Sequence, residues 1–411
     1  MGDVKENKKK LGLGSQILIG IVIGLALGVI SPTLANKLSP IGTIFLRLLK
    51  MVMVPLVFFS ITSGVCKMGD VKQLASVGLR FVLYILITSG ISAAIGVVGG
   101  LLTHPGSGTT EFLDSTAKVE KVSYNFIDNV ISWVPENVVQ SMSEANMLQV
   151  IVFAIFLGVA LLALGKKVSV FVDMIDQGSE AMLKIVEYIM IVSPIGIASL
   201  MATMVTTISG STMKEVIVFI ATDYACAILI LVVFYPLIIK FLAKVGPFGF
   251  MKKISEPIIV AATTTSSAAT LPVSLKVAGQ KLGIPENIYG FTLPLGNTCG
   301  MNGFSLFVGL CCIFASNLYG FPITLGAIAQ YVFLGIILSV GAAGVKGAGI
   351  IMSTVLLETI GMPLTLIPIL AAIWPAIDPA HTVLNNTSDL AGTMIIAKQL
   401  KKVDMDVYNQ K

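Results

Sequence analysis

Apolar runs long enough to cross a lipid bilayer recur along nearly the whole of this chain. A helix needs about 20 consecutive apolar residues to span the hydrocarbon layer. Such runs fall at 14–35, 40–67, 79–103, 146–165, 180–207 and 216–243. In lipid, every backbone N–H and C=O must be satisfied internally, so helices are the expected form. Composition agrees: 12% of the 411 residues are charged, 55% are hydrophobic, and mean hydropathy is +0.92. A soluble domain carries about 25% charged residues. The chain is therefore predicted to be an all-α polytopic membrane protein.

Basic residues cluster beside the apolar runs, at Lys67, Lys72 and Arg80, at Lys166 and Lys167, and at Lys240, Lys244, Lys252 and Lys253. Cytoplasmic loops carry such an excess. The polar stretch 104–145 instead holds Glu111, Asp114, Glu120, Asp128, Glu136 and Glu144 against Lys118 and Lys121, which suits the outside. Residues 1–10 form a Lys-rich cap without a small-residue cleavage site, so 14–35 reads as a retained span. The expected placement is multi-pass in the cell membrane, with both termini cytoplasmic. The net charge of +5 arises from these short clusters and does not suggest nucleic acid. Cys66, Cys226, Cys299, Cys311 and Cys312 form no CxxC pair, and His104 and His381 are too few for a histidine-based metal cluster.

After Lys253 the pattern changes. Two short apolar arms flank the Ser/Thr-rich stretch 263–270, which reads as the non-helical tip of a re-entrant hairpin. Such backbone is tolerated at membrane depth only inside protein or beside water. The run 286–319 is interrupted by Gly296-Asn-Thr-Cys-Gly-Met-Asn-Gly303, predicted to be an unwound segment with free carbonyls. A second pair of arms, 323–338 and 350–362, flanks the glycine-rich tip 339–349. Paired interrupted segments point to a transport site at the bilayer midplane.

The last span carries a polar stripe. Asp378, His381, Thr382, Asn385 and Asp389 stand at helical offsets of 0, 3, 4, 7 and 11, within roughly a quarter of the circumference. On a soluble helix this would be an ordinary wet face. Inside a bilayer, ionisable groups are costly and face a cavity, an ion path or a partner.

These motifs, in this order, resemble the dicarboxylate/amino acid:cation symporter family, the homologues of glutamate transporters. The carriers are Ala-Thr-Leu-Pro at 269–272, Thr-Leu-Pro-Leu-Gly at 292–296, Gly-Met-Asn-Gly at 300–303, Gly-Ala-Ala-Gly-Val-x-Gly-Ala-Gly at 341–349 and Asp-x-x-x-Thr-x-x-Asn-x-x-x-Asp at 378–389. The resemblance is strong over 248–402 and weaker over 14–245. It implies a homotrimer with a glutamate-transporter-like elevator fold, of eight transmembrane helices and two re-entrant helical hairpins. Residues 1–78 and 104–207 would form the scaffold. Residues 79–103 and 208–402 would form the transport core, and 403–411 a cytoplasmic tail.

The resemblance also implies roles. Asp378 would bind the substrate ammonium, and charge-assisted bonds of that kind are strong. The alternative is a helix-start carboxylate beside Pro379. Ser266, Ser267, Val345 and Gly349, at the two hairpin tips, would hold the α-carboxylate, with Thr382 and Asn385 beside the substrate. Asp389, Asn385 and the carbonyls of Gly296 and Gly300 would cage one sodium ion, since hard cations take oxygen ligands. Thr298, Ser339, Val340 and Ala342 would form a second cage. Thr298 has the alternative of a hydroxyl bonded within its own helix. A third cage would fall on Thr88, Ser89 and Asn302.

The departures from the family pattern bear on substrate. His381 stands where members that carry acidic substrates have arginine, and Phe304 where they have threonine. Asn302 and Gly300 replace a carboxylate and an amide at the third cation cage. His381 could contact the substrate side chain, bond a neighbouring hydroxyl or couple a proton. The expected activity is sodium-coupled symport of a neutral amino acid, with proton coupling or an acidic substrate as the alternative and no cofactor beyond the coupling ion. An intramembrane hydrolase using Ser266 or Ser267 with His381 is a further alternative, although no Gly-x-Ser-x-Gly or His-Glu-x-x-His motif is present.

Overall fold

A computed structural model describes residues 13–66, 77–109, 131, 133–205, 210–342 and 348–410. Every regular element among them is helical. In chain order these are α1 (Leu13–Ile30), α2 (Pro32–Cys66), α3 (Leu79–Thr103), α4 (Met147–Leu164), α5 (Ser169–Val205) and α6 (Gly210–Leu229). There follow α7 (Ser255–Thr264), α8 (Ser267–Gln280), α9 (Glu286–Cys299), α10 (Asn302–Tyr319), α11 (Leu325–Gly341), α12 (Ala348–Thr359) and α13 (Ile367–Gln399). Two π-helical turns around Pro236 carry α6 on to Ala243.

Six stretches are long and apolar enough to cross a membrane: Pro32–Cys66, Leu79–Thr103, Gln149–Ile189, Gly210–Ala243, Glu286–Tyr319 and Leu364–Gln399. Shorter apolar helices run Ile19–Ile30, Ile191–Thr203, Leu325–Gly341 and Gly349–Thr359. The first expected span ends at Ile30 rather than residue 35. Pro32 opens α2 instead, at a position where its missing N–H costs nothing.

The helices pack in two groups. One joins α1, α2, α4 and α5, and the other joins α3, α6 and the hairpin arms to α9, α10, α11 and α13. Small residues let the backbones touch where α3 crosses α10. A Cβ on Gly96 would sit 2.2 Å from the Leu306 carbonyl, and one on Gly309 would sit 2.1 Å from that of Ala93. Close approach of this kind replaces the hydrophobic drive that lipid cannot supply.

Both interrupted segments are shorter than predicted. The first hairpin turns over only Thr265 and Ser266, not over 263–270. Thr265 takes the left-handed conformation at φ 50°, and Ser266 caps α8 by accepting the Ala269 N–H. The other tip hydroxyls bond back into their own helices, Thr264 to Val260 and Thr270 to Ser266. That back-bonding satisfies the hydroxyls within helical backbone. The break between α9 and α10 likewise covers only Gly300 and Met301; Gly296 stays helical and its carbonyl accepts the Gly300 N–H at 2.6 Å.

Candidate functional site

The polar stripe lies on α13, which passes the break between α9 and α10 and the tip of the first hairpin. Asn385 reaches the break. Its Oδ1 accepts the Gly303 N–H at 2.7 Å, satisfying a donor in the first turn of α10, and its amide donates to the Met301 sulfur. Asn386, absent from the predicted set, donates to the Ser267 hydroxyl at 3.2 Å and to the Thr382 carbonyl. The first hairpin is thus tied to α13 by a side-chain bond. Ser267 is buried and Ser266 half-buried. Gly303 lets α10 lie directly on α13, because a Cβ there would stand 2.4 Å from the His381 backbone. Gly303→Ala should therefore cost about 1–3 kcal/mol of stability, seen as a lower thermal midpoint in detergent. An unchanged midpoint would contradict so close a contact.

Asp389 is the clearest electrostatic feature. It is buried, and its Oδ1 has no hydrogen-bond partner among the described residues. Gly296 and Gly300 press against it: a Cβ on either would stand 2.2 or 2.8 Å from Oδ1. A buried carboxylate oxygen without a donor is costly unless a cation completes it. The donor set of carboxylate, amide and break-segment carbonyls suits a hard ion such as sodium.

The other predicted cation residues are buried, except the half-buried Thr298, and the Ser339 hydroxyl lies 3.2 Å from that of Ser89. Ser339 and Val340 end α11, and Ala342 follows in extended backbone. Ser339 donates to the Ile336 carbonyl, and the Thr298 hydroxyl to the Pro294 carbonyl at 2.9 Å. The intrahelical alternative for Thr298 thus describes its donor side, while its acceptor lone pairs are uncommitted by that bond. Asn302 is more fully engaged. Its Oδ1 accepts from Ser89, and its amide donates to Ser388 at 2.8 Å and to the Tyr235 hydroxyl. Thr88 bonds back to the carbonyls of Tyr84 and Ile85.

His381 has a partner that sequence reasoning missed. Its Nε2 lies 2.9 and 3.0 Å from the two carboxylate oxygens of Asp223, in the middle of α6. Both side chains are buried, at 2% and 0% exposure, so the pair is dry. Of the alternatives for His381, the hydroxyl partner is replaced by a carboxylate. The signal was available, since Asp223 is the only acid in the apolar run 216–243. Phe307 and Trp374 pack against the imidazole, and Phe304 packs against both of them. Gly349, in the second hairpin, lies against the Trp374 ring. Asp378 is half-buried one turn earlier, with the Thr382 hydroxyl 3.5 Å from its Oδ1. Val345 and Lys346 lie outside the described residues.

Apolar helices that bring two interrupted segments and buried acids onto one polar face define a membrane carrier. The chain belongs to the sodium:dicarboxylate symporter family, whose profile it matches over residues 13–399. It is 27% identical over 403 residues to the proton/sodium-glutamate symport protein of Geobacillus stearothermophilus, covering 95% of each. It is 29% identical over 414 residues to C4-dicarboxylate transport protein 3 of Ralstonia nicotianae, covering 97% of this chain and 91% of that one. An uncharacterized symporter of Haemophilus influenzae is 31% identical over 417 residues, with 94% of each covered. This is a family of transporters, not enzymes, which removes the hydrolase alternative.

Proposed function

We propose that this chain is a secondary active, sodium-coupled symporter of a neutral amino acid. The observation that carries the substrate reading is the Asp223–His381 pair. The group standing where a substrate's second carboxylate would be received is already committed to an acid. Even with His381 protonated, the pair has no net positive charge to offer. Phe304 adds apolar surface behind it, against Phe307 and Trp374. Asp378 takes the substrate ammonium. Ser266 and Ser267 at one tip and Val345 and Gly349 at the other take the α-carboxylate, helped by the dipoles of the helix ends.

Sodium is held by Asp389, Asn385, Gly296 and Gly300, and a second ion by Thr298, Ser339, Val340 and Ala342. The engaged amide of Asn302 supports the loss of a third cage at Thr88 and Ser89. The expected coupling is about two sodium ions per substrate, one for each remaining cage. Reversal potentials in proteoliposomes measure this ratio, and a value of about three would contradict it. The working assembly is a homotrimer in the cell membrane, with both termini cytoplasmic. Residues 79–103 and 208–402 move as an elevator against the scaffold of 1–78 and 104–207.

A second reading rests on the relatives, which are named for proton/sodium-glutamate and C4-dicarboxylate transport. It assigns this chain an acidic substrate or proton coupling. Uptake of labelled amino acids and succinate into proteoliposomes separates the readings, using a sodium gradient in one arm and a proton gradient alone in the other. Uptake driven by protons alone would overturn sodium coupling.

A further inference from the structure

Asp223, the ring nitrogen Nδ1 of His381 and the indole N–H of Trp374 are buried polar groups on α6 and α13. All three belong to buried side chains, and the Trp374 and His381 rings meet edge to face. Trp374 and His381 are seven residues apart on α13, hence on the same face, with ring centroids 5.7 Å apart. Phe307 of α10 lies against both rings, Phe304 lies against Phe307 and the indole, and Gly349 of α12 lies against the indole edge beside Nε1.

The hydrogen-bond inventory of this space is unbalanced. An ionised carboxylate only accepts, so Nε2, lying between both Asp223 oxygens, carries the hydrogen. In the neutral tautomer that carries its one hydrogen on Nε2, Nδ1 is a bare acceptor. Nδ1 is buried without a partner among the described residues, and so is Trp374 Nε1, which can only donate. One orphaned acceptor and one orphaned donor remain in an otherwise aromatic box. Buried polar atoms are rarely left so unless something arrives to satisfy them.

Resting on the neutral amino acid reading above, we infer that Asp223 sets the substrate side chain. It locks His381 with Nε2–H, and so presents with Trp374 an acceptor and a donor matched to a hydroxyl. A hydroxyl accepts from the indole and donates to Nδ1 through one oxygen. A carboxylate would meet the Nδ1 lone pair, and a methyl group would leave both orphans unsatisfied. The substrate class is therefore a small hydroxyl-bearing amino acid. Asp223 acts through His381 and is a positioning residue.

The test is sodium-driven uptake in proteoliposomes, comparing serine with 2-aminobutyrate and threonine with valine. Each pair differs by a hydroxyl against a methyl of similar size. The wild-type protein should favour the hydroxyl member by about tenfold or more. Trp374→Phe, which keeps an aromatic ring of smaller size and removes the donor, should reduce that ratio severalfold, and Asp223→Asn should do the same. Nitrogen-15 spectra of the imidazole give a readout that a packing role would not move. The chain has only two histidines. His104→Asn removes the exposed one, at a left-handed position that asparagine tolerates. The remaining signal should report a single Nε2–H form, and Asp223→Asn should change it.

Equal uptake of serine and 2-aminobutyrate, with both preferred to aspartate, would overturn this inference and leave the neutral reading standing. Aspartate outcompeting all of them would overturn the neutral reading itself. A wild-type spectrum with Nδ1 protonated and Nε2 bare would overturn the role of Asp223, even if Asp223→Asn fails to fold.

Discussion

Asp389→Asn is expected to abolish sodium-dependent substrate binding while leaving the fold intact. Asparagine keeps the shape of the side chain and the approach of Gly296 and Gly300, but removes the charge. Losing one partner of a desolvated charged pair costs roughly 2–5 kcal/mol, about 30-fold to several thousand-fold in affinity. The apoprotein should gain stability, because it no longer holds an unpartnered carboxylate oxygen in a dry site. Sodium raises the thermal midpoint of any state it binds. That rise should be much reduced in Asp389→Asn, even though its midpoint without sodium is higher. An undiminished sodium-induced rise would place the cation elsewhere.

Asp378→Asn should give the complementary result. Its carboxylate is half-buried near the Thr382 hydroxyl, open enough to receive a ligand and dry enough for a charge-assisted bond to count. Amino acid uptake should fall by at least about 30-fold, on the same scale of cost. The sodium-induced rise in midpoint should persist, since this residue is eleven positions from Asp389 and faces the substrate. The two variants thus separate the substrate site from the ion site. Near wild-type affinity in Asp378→Asn would mean that the ammonium binds elsewhere.

Much of this arrangement is legible along the chain, because helical spans and stripes are local properties. The apolar runs mark the helices, and the offsets of Asp378, His381, Thr382, Asn385 and Asp389 mark one face of α13. Two kinds of information are not legible in hydropathy and periodicity. The first is where the hydroxyls of a polar stretch find their acceptors. Thr264 and Thr270 bond to carbonyls four residues back, within helices that leave only Thr265 and Ser266 for the hairpin turn. The second is what stands across a helix face. Asp223 and His381 are 158 residues apart, and periodicity within α13 says nothing about α6. An acid alone in an apolar run announces that it needs a partner without saying which. The same holds for Asn302, whose partners come from α3, α6 and α13.

His381 also bears on pH. An unpaired histidine, once protonated, could receive an acidic side chain. With Asp223 beside it, protonation yields a neutral pair rather than a free cation. Acidic amino acids should therefore remain poor substrates at acid pH as well.

The most direct measurement is a competition series against sodium-driven uptake of a labelled neutral amino acid, run at about pH 7.5 and about pH 5.5. The competitors are serine, alanine, threonine, methionine, glutamate, aspartate and succinate. A buried carboxylate lacking a partner costs more than the few kcal/mol that separate good substrates from poor ones. Neutral amino acids should displace the label at both pH values, and glutamate, aspartate and succinate should not. Aspartate or succinate competing best at about pH 7.5 would contradict the neutral-substrate account.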